Sequence, residues 1–147
     1  MGSLHQQAIE IIKSKGLKRL EKPIQLASGA MSQDFVDGKL ATAHFDDLEI
    51  ASRAITDGIL LQGIEFNVVG GPNLGADAFT IGIAGIQRCR WFFVRKKPKG
   101  RGTNKLIEGS SIGDGDRCLV VELSLIHISE PTRRYAISFG VLCLKKK

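Results

Sequence analysis

Three short apolar runs constrain the fold of this 147-residue chain more tightly than any other feature. They are IEFNVVGG, CRWFFVRK and DRCLVVE, at residues 64–71, 89–96 and 116–122. Each is of strand length, and each stops at glycine or at charge. CRWFFVRK is apolar almost without interruption, the pattern of a strand buried on both faces. DRCLVVE is a further candidate for a buried strand. Between the first two lies NLGADAFTIGIAGIQ, whose apolar spacing suits a helix. Strand, helix, strand, loop, strand predicts an α/β domain built on a parallel sheet. In such sheets ligands bind beyond the carboxyl ends of the strands. Three conspicuous segments fall at those ends: Gly70-Gly71, Arg95-Lys96 and Glu122.

Upstream, LHQQAIEIIKSK (4–15) places Leu4, Ala8, Ile11 and Ile12 at helical spacing, with Gly16 as a stop. Residues 23–29, PIQLASG, read as extended and end at a Ser-Gly turn. Residues 34–42 predict a second short strand, interrupted by the turn signal Asp37-Gly38. Residues 46–62 predict a helix with Leu48, Ala51, Ile55, Ile59 and Leu60 on one face. Asp46 and Asp47 suit its start. Residues 97–115, KPKGRGTNKLIEGSSIGDG, have no periodicity and read as a long mobile loop.

Composition narrows the class. Hydrophobic residues make up 43% and charged residues 24%, which excludes a disordered or collagen-like chain. No apolar run reaches the roughly 18 residues of a membrane span. MGSLHQQAIEIIKSKG lacks signal-peptide architecture. Cys89, Cys118 and Cys143 have no metal-ligand spacing and cannot all pair, so a reduced cytoplasmic protein is expected. His5, His44 and His127 are isolated and receive no role. The net charge of +6 hints at an anionic partner.

Each candidate segment has a functional reading and a structural one. A strand running into Gly70-Gly71, with Gly75 a turn later, lets backbone N–H groups approach a phosphate. The structural reading is a tight strand-to-helix turn with no ligand, and a short glycine motif does not displace it. In VRKKPKGRGT, the cations Arg95, Lys96, Lys99 and Arg101 suit closure over a polyanion and stabilisation of a phosphate leaving group. The other readings are a solvated basic loop or a nucleic-acid patch. Trp91, Phe92 and Phe93 lie inside a strand candidate and suit a core better than base stacking. In QLASGAMSQDFVDGK, Ser28, Gly29 and Ser32 suit a cradle for a small ligand, or a plain hairpin.

The order of these segments is more specific than any one of them. LASG-x-x-S-x-D-F-x-DGK, VVGGPNLGAD, WFFVRKKPKGRGT, IEG and VVE together resemble the orotate phosphoribosyltransferase family over residues 1–122. The resemblance implies a type I phosphoribosyltransferase fold: a parallel sheet with flanking helices and a small N-terminal hood. Hood and core would occupy residues 1–44 and 45–122. It implies transfer of ribose phosphate from phosphoribosyl pyrophosphate to orotate, giving orotidine monophosphate and pyrophosphate in pyrimidine biosynthesis. Magnesium assistance, with no direct protein ligand, and a homodimer are also implied. By position, Arg95, Lys96, Lys99 and Arg101 match the family's basic residues around pyrophosphate, and Lys99 the catalytic loop lysine. Arg101 stands where many members have histidine, and it cannot donate a proton near neutral pH. Ala27 falls where some members have lysine. Ser28, Gly29, Ser32 and Phe35 fall in the hood segment that helps hold orotate. In such dimers the basic loop reaches the neighbouring subunit's site. Two other readings stay open: a nucleotide- or nucleic-acid-binding regulator on the same fold, and a phosphoribosyltransferase for another base.

The resemblance stops at Glu122. The family's strand motif continues with a second acid and a Thr/Gly/Ser phosphate loop, and its acids bind the ribose hydroxyls. Here Leu123 follows instead. Residues 123–133, LSLIHISEPTR, resemble the translation of a transposase sequencing adapter, and the chain ends in three lysines. Residues 123–147 are therefore expected to be foreign sequence, and the chain an inactive fragment that exposes apolar surface. They hold five Lys or Arg and one acid, a net of +4. Residues 1–122 hold 16 Lys or Arg and 14 acids, a net of +2. The native excess is thus local to 95–105, where it suits pyrophosphate better than a broad nucleic-acid surface.

Overall fold

A computed structural model describes residues 2–25, 29–98, 100 and 105–122, together with the main chain of 140–145. Its contacts divide the chain into two compact units, Met1–Ile55 and Thr56–Lys147.

In the first unit, α1 (Leu4–Ile11) starts at a capping box. Ser3 Oγ accepts from Gln6 N, and the Gln6 side chain accepts from Ser3 N. The helix widens into one π turn over Ile12–Gly16. The chain then forms β1 (Leu17–Gln25) and β2 (Met31–Val36), paired antiparallel from Leu17 opposite Val36 to Gln25 opposite Met31. The register slips between Arg19 and Ile24. The strand expected over 34–42 ends at Val36. Asp37 accepts from Leu40 N at 3.0 Å and caps a short helix, α2 (Gly38–Ala41). A side-chain cap on the next turn outweighs the local strand pattern there.

The helix expected over 46–62 is α3 (Phe45–Leu61). Ala51, Ile55 and Ile59 are buried as the spacing predicts, whereas Leu60 is exposed. Asp47 is also buried and takes a 2.5 Å ion pair from Lys15.

In the second unit, β3 (Val68–Pro72), α4 (Asp77–Gln87), β4 (Arg90–Val94), β5 (Ile107–Gly109), β6 (Arg117–Glu122) and β7 (Gly140–Lys145) follow in order. The sheet order is β5-β4-β3-β6-β7. The expected parallel sheet is present as its centre, because β4 and β6 both run parallel to β3. Antiparallel strands flank it on either side, so the whole sheet is mixed. Val68, Val69, Phe79, Ile83, Leu119 and Val121 are fully buried and make the core.

Two further expectations need correction. The segment 97–115 is not wholly a loop, because Ile107–Gly109 pairs with the outer edge of β4. Pairing of that kind uses main-chain groups and leaves no apolar period in so short a strand. CRWFFVRK is not buried on both faces either. Phe92 is buried, but Trp91 and Val94 are over a third exposed. A continuous apolar run therefore marks strand propensity here more than two-sided burial. No helix among the described residues is long and apolar enough to cross a membrane.

Candidate active site at the strand ends

The parallel register aligns the three strand ends singled out above. Gly70 lies opposite both Phe92 and Val120, and Pro72 lies opposite Val94. The turn after β3, the residue after β4 and the last residue of β6 thus share one edge of the sheet.

Gly70 and Gly71 are inside β3 and buried. A Cβ on Gly70 would meet the Phe92 ring at 2.5 Å, and one on Gly71 would meet the Val121 carbonyl oxygen at 2.2 Å. Packing alone therefore demands glycine at both positions. The turn Asn73–Gly75 is tied down by its own amides. Asn73 N donates to Val94 O at 2.8 Å, Leu74 N to Asp77 Oδ1 at 3.1 Å, and Gly75 N to Pro72 O at 3.3 Å. Leu74 takes a left-handed φ of 68°, a conformation that costs energy without local support. The Asp77 carboxylate at the start of α4 supplies that support, and its charge suits a helix N-terminus. At Gly75 the missing side chain makes room for Glu122. A Cβ there would lie 3.1 Å from Glu122 Oε1. The acid that ends β6 is therefore seated against the turn that ends β3.

Arg95 follows β4 directly. Its N–H donates to Leu106 O at 2.8 Å, and its Nη1 donates to Glu108 Oε1 at 3.0 Å. Lys96 is exposed beside it. Lys99 and Arg101 lie outside the described residues, as does Ser28. Gly29, Ser32 and Phe35 belong to the first unit. Gly29 is at a bend, where its carbonyl accepts from Gln25 Nε2 at 3.4 Å. Ser32 Oγ accepts from Asp34 N at 3.0 Å and donates to Asp34 O. Phe35 stands opposite Lys18 and is 40% exposed.

Neither Glu108 nor Asp77 stands out in the sequence, although they lie within the motifs IEG and VVGGPNLGAD. Their signal is a lone acid, in a short edge strand for Glu108 and beside a turn for Asp77, which becomes meaningful only once the partner is known. Among the described residues, no cluster of three or more His, Cys, Asp or Glu side chains could hold a metal ion. Cys89 and Cys118 form no disulfide, and burial pushes the Cys89 thiol pKa up.

No family model matches the sequence. The chain is 36% identical over 129 residues to the orotate phosphoribosyltransferase of Leptospira biflexa, covering 83% of this chain and 69% of that one. Its structure is similar to that of the Mycobacterium tuberculosis orotate phosphoribosyltransferase in complex with Fe(III) dicitrate. The TM-score is 0.59 at 31% identity, over 81% of this chain and 66% of that one. The same M. tuberculosis enzyme in complex with 5-phospho-α-D-ribosyl 1-diphosphate matches with a TM-score of 0.52 and 28% identity, over 81% and 63%. The chain thus spans about two thirds of the length of these relatives. Likeness of this extent, in sequence and in fold, makes the chain a member of the orotate phosphoribosyltransferase family.

Proposed function

We propose that the protein this chain represents transfers ribose phosphate from phosphoribosyl pyrophosphate to orotate, and that the strand-end cluster is its pyrophosphate and ribose site. The observation that carries the reading is the seating of Glu122 against the Gly75 turn, on the same sheet edge as Arg95. In the reaction a ring nitrogen of orotate gives up its proton and bonds to the ribose C1′ as the C1′–O bond to pyrophosphate breaks; the electron pair of that bond leaves with pyrophosphate, and the proton passes to pyrophosphate or solvent. Negative charge grows on the departing pyrophosphate. Arg95, Lys96, Lys99 and Arg101 supply positive charge to meet it. Glu122 suits the ribose hydroxyls, because a carboxylate accepts from two of them at once. Magnesium would arrive on the pyrophosphate oxygens, in keeping with its preference for substrate phosphates over a cage of protein ligands. Gly29, Ser32 and Phe35 are assigned to the orotate side, with Ser28.

We read residues 123–147 as foreign sequence and the chain itself as an inactive fragment. A homodimer and a cytoplasmic location belong to the same proposal. The regulatory reading and the nucleic-acid reading are not favoured, since the relatives named above are orotate phosphoribosyltransferases.

The test has two parts. The gene read continuously past Glu122 is expected to encode an acid and then a Thr/Gly/Ser loop, and its product to consume orotate when phosphoribosyl pyrophosphate is added. The 147-residue chain is expected to show no turnover. Absence of that loop, or a product active on purines in place of orotate, would refute the reading. Near-normal turnover after Lys99→Ala would remove the catalytic role from that residue alone.

A further inference from the structure

Glu108 stands on β5 opposite Phe93, yet its carboxylate reaches along the sheet to Arg95, two residues further on. Arg95 is thereby held twice by one short segment: its main-chain N–H by the Leu106 carbonyl, and its guanidinium by Glu108. The side chains are 34% and 40% exposed, so solvent screens the pair less than a fully exposed one. Arg95 Nε is out of contact with water and has no hydrogen-bond partner among the described residues. That fixes which edge of the guanidinium faces the protein. An arginine left to itself would sample many rotamers, and ordering it on ligand binding would cost affinity.

We propose that Glu108 is a positioning residue: it holds the Arg95 guanidinium in one orientation at the end of β4, ready for the pyrophosphate group. This rests on the pyrophosphate role proposed for Arg95. Two opposed effects give the two possible roles of Glu108 different signs. As a plain negative charge beside an anion site, Glu108 would repel pyrophosphate, and its removal would tighten binding. As a positioning group, its removal loosens Arg95 and weakens binding.

The experiment titrates the full chain with inorganic pyrophosphate and magnesium by calorimetry, for wild type, Arg95→Ala, Glu108→Ala, Glu108→Gln and the Arg95/Glu108 double alanine variant. Thermal melting reports folding of each. We expect Glu108→Ala to weaken binding by about tenfold, the scale of one charge-assisted hydrogen bond. Glu108→Gln, which keeps an acceptor oxygen, should recover part of the loss. The double variant should bind no worse than Arg95→Ala alone, because Glu108 acts through Arg95. Unchanged or tighter binding in Glu108→Ala, with weaker binding in Arg95→Ala, overturns the proposal and leaves the role of Arg95 standing. Should Glu108→Ala not fold, the sign of the change in Glu108→Gln decides in the same way. No binding by the wild type, or unchanged binding in Arg95→Ala, overturns both readings together.

Discussion

At the scale of single residues, the glycines of β3 and of the helices separate packing from ligand approach. A Cβ at Gly71 would press on the main chain of β6, which cannot move without breaking the sheet register. Gly71→Ala is expected to destabilise the fold by about 3 kcal/mol or more. Gly70→Ala meets the Phe92 ring instead, and that ring is itself buried, so a loss of about 1–3 kcal/mol is expected. Gly85 of α4 has nothing within 4 Å of its would-be Cβ. Gly85→Ala should therefore stabilise by about 0.5–1 kcal/mol through helix propensity. Urea midpoints of the three variants check the order. If Gly70 and Gly71 serve only to let a phosphate approach, their alanine variants will keep the wild-type midpoint, and the packing account fails.

At the scale of elements, the amino ends of β3, β4 and β6 are buckled together, opposite the candidate site. The Asp116 carboxylate accepts from Gly113 N at 2.8 Å, from Asn67 Nδ2 at 3.0 Å and from Arg90 Nη2. Asn67 Oδ1 accepts in turn from Arg117 N at 2.8 Å. The Gly113 N–H first, and the Arg90 guanidinium next, hold the Asp116 pKa below the ordinary carboxylate value. A carboxylate depressed in the folded state stabilises the protein above its unfolded pKa, and that contribution fades as pH falls through the folded pKa. Asp116→Asn is thus expected to lower the melting temperature near neutral pH and to flatten its decline in acid. Melting curves from neutral pH down through the carboxylate range provide the check: coincident wild-type and variant curves would remove the buckle from the stability account, and parallel, displaced ones would remove its pH dependence. The same elements show what the sequence discloses. α1, α3, α4, β3 and β6 are legible because each carries its own apolar period or run. α2 and β5 are not, since one depends on the Asp37 cap and the other on the free edge of β4. At the site, the three strand ends can be read from the chain, but the Arg95–Glu108 pair cannot. It joins residues 13 apart in sequence, through a register that exists only after folding. The pairing of β7 with β6 is likewise a main-chain matter, so it is neutral on the origin of residues 123–147.

At the scale of the molecule, the basic character divides into two populations with different consequences. Arg95, Arg90, Arg117 and Lys15 each face a carboxylate, from Glu108, Asp116, Glu65 and Asp47 respectively. Such pairs present little net field to a distant polyanion. Residues 123–147 contribute +4 of the total +6 and hold only one acid among them. Non-specific attraction to nucleic acid should therefore follow the tail, whereas pyrophosphate binding should follow the segment after β4. Replacing Arg133, Arg134, Lys146 and Lys147 with serine removes four positive charges and lowers the net charge from +6 to +2. The log–log salt slope for duplex DNA is expected to flatten by about 0.9 for each phosphate that the variant no longer neutralises. Pyrophosphate affinity should stay at its wild-type value. Lys96→Ser should do the reverse, weakening pyrophosphate while changing the DNA slope by no more than about 0.9, the share of a single phosphate. Calorimetry with pyrophosphate and fluorescence titration of duplex DNA, between about 20 and about 200 mM salt so that the screening length shortens severalfold, read both quantities on the same samples. Abolished DNA binding in Lys96→Ser, with the tail variant unaffected, would move the nucleic-acid surface to the strand ends and restore the reading that pyrophosphate displaced.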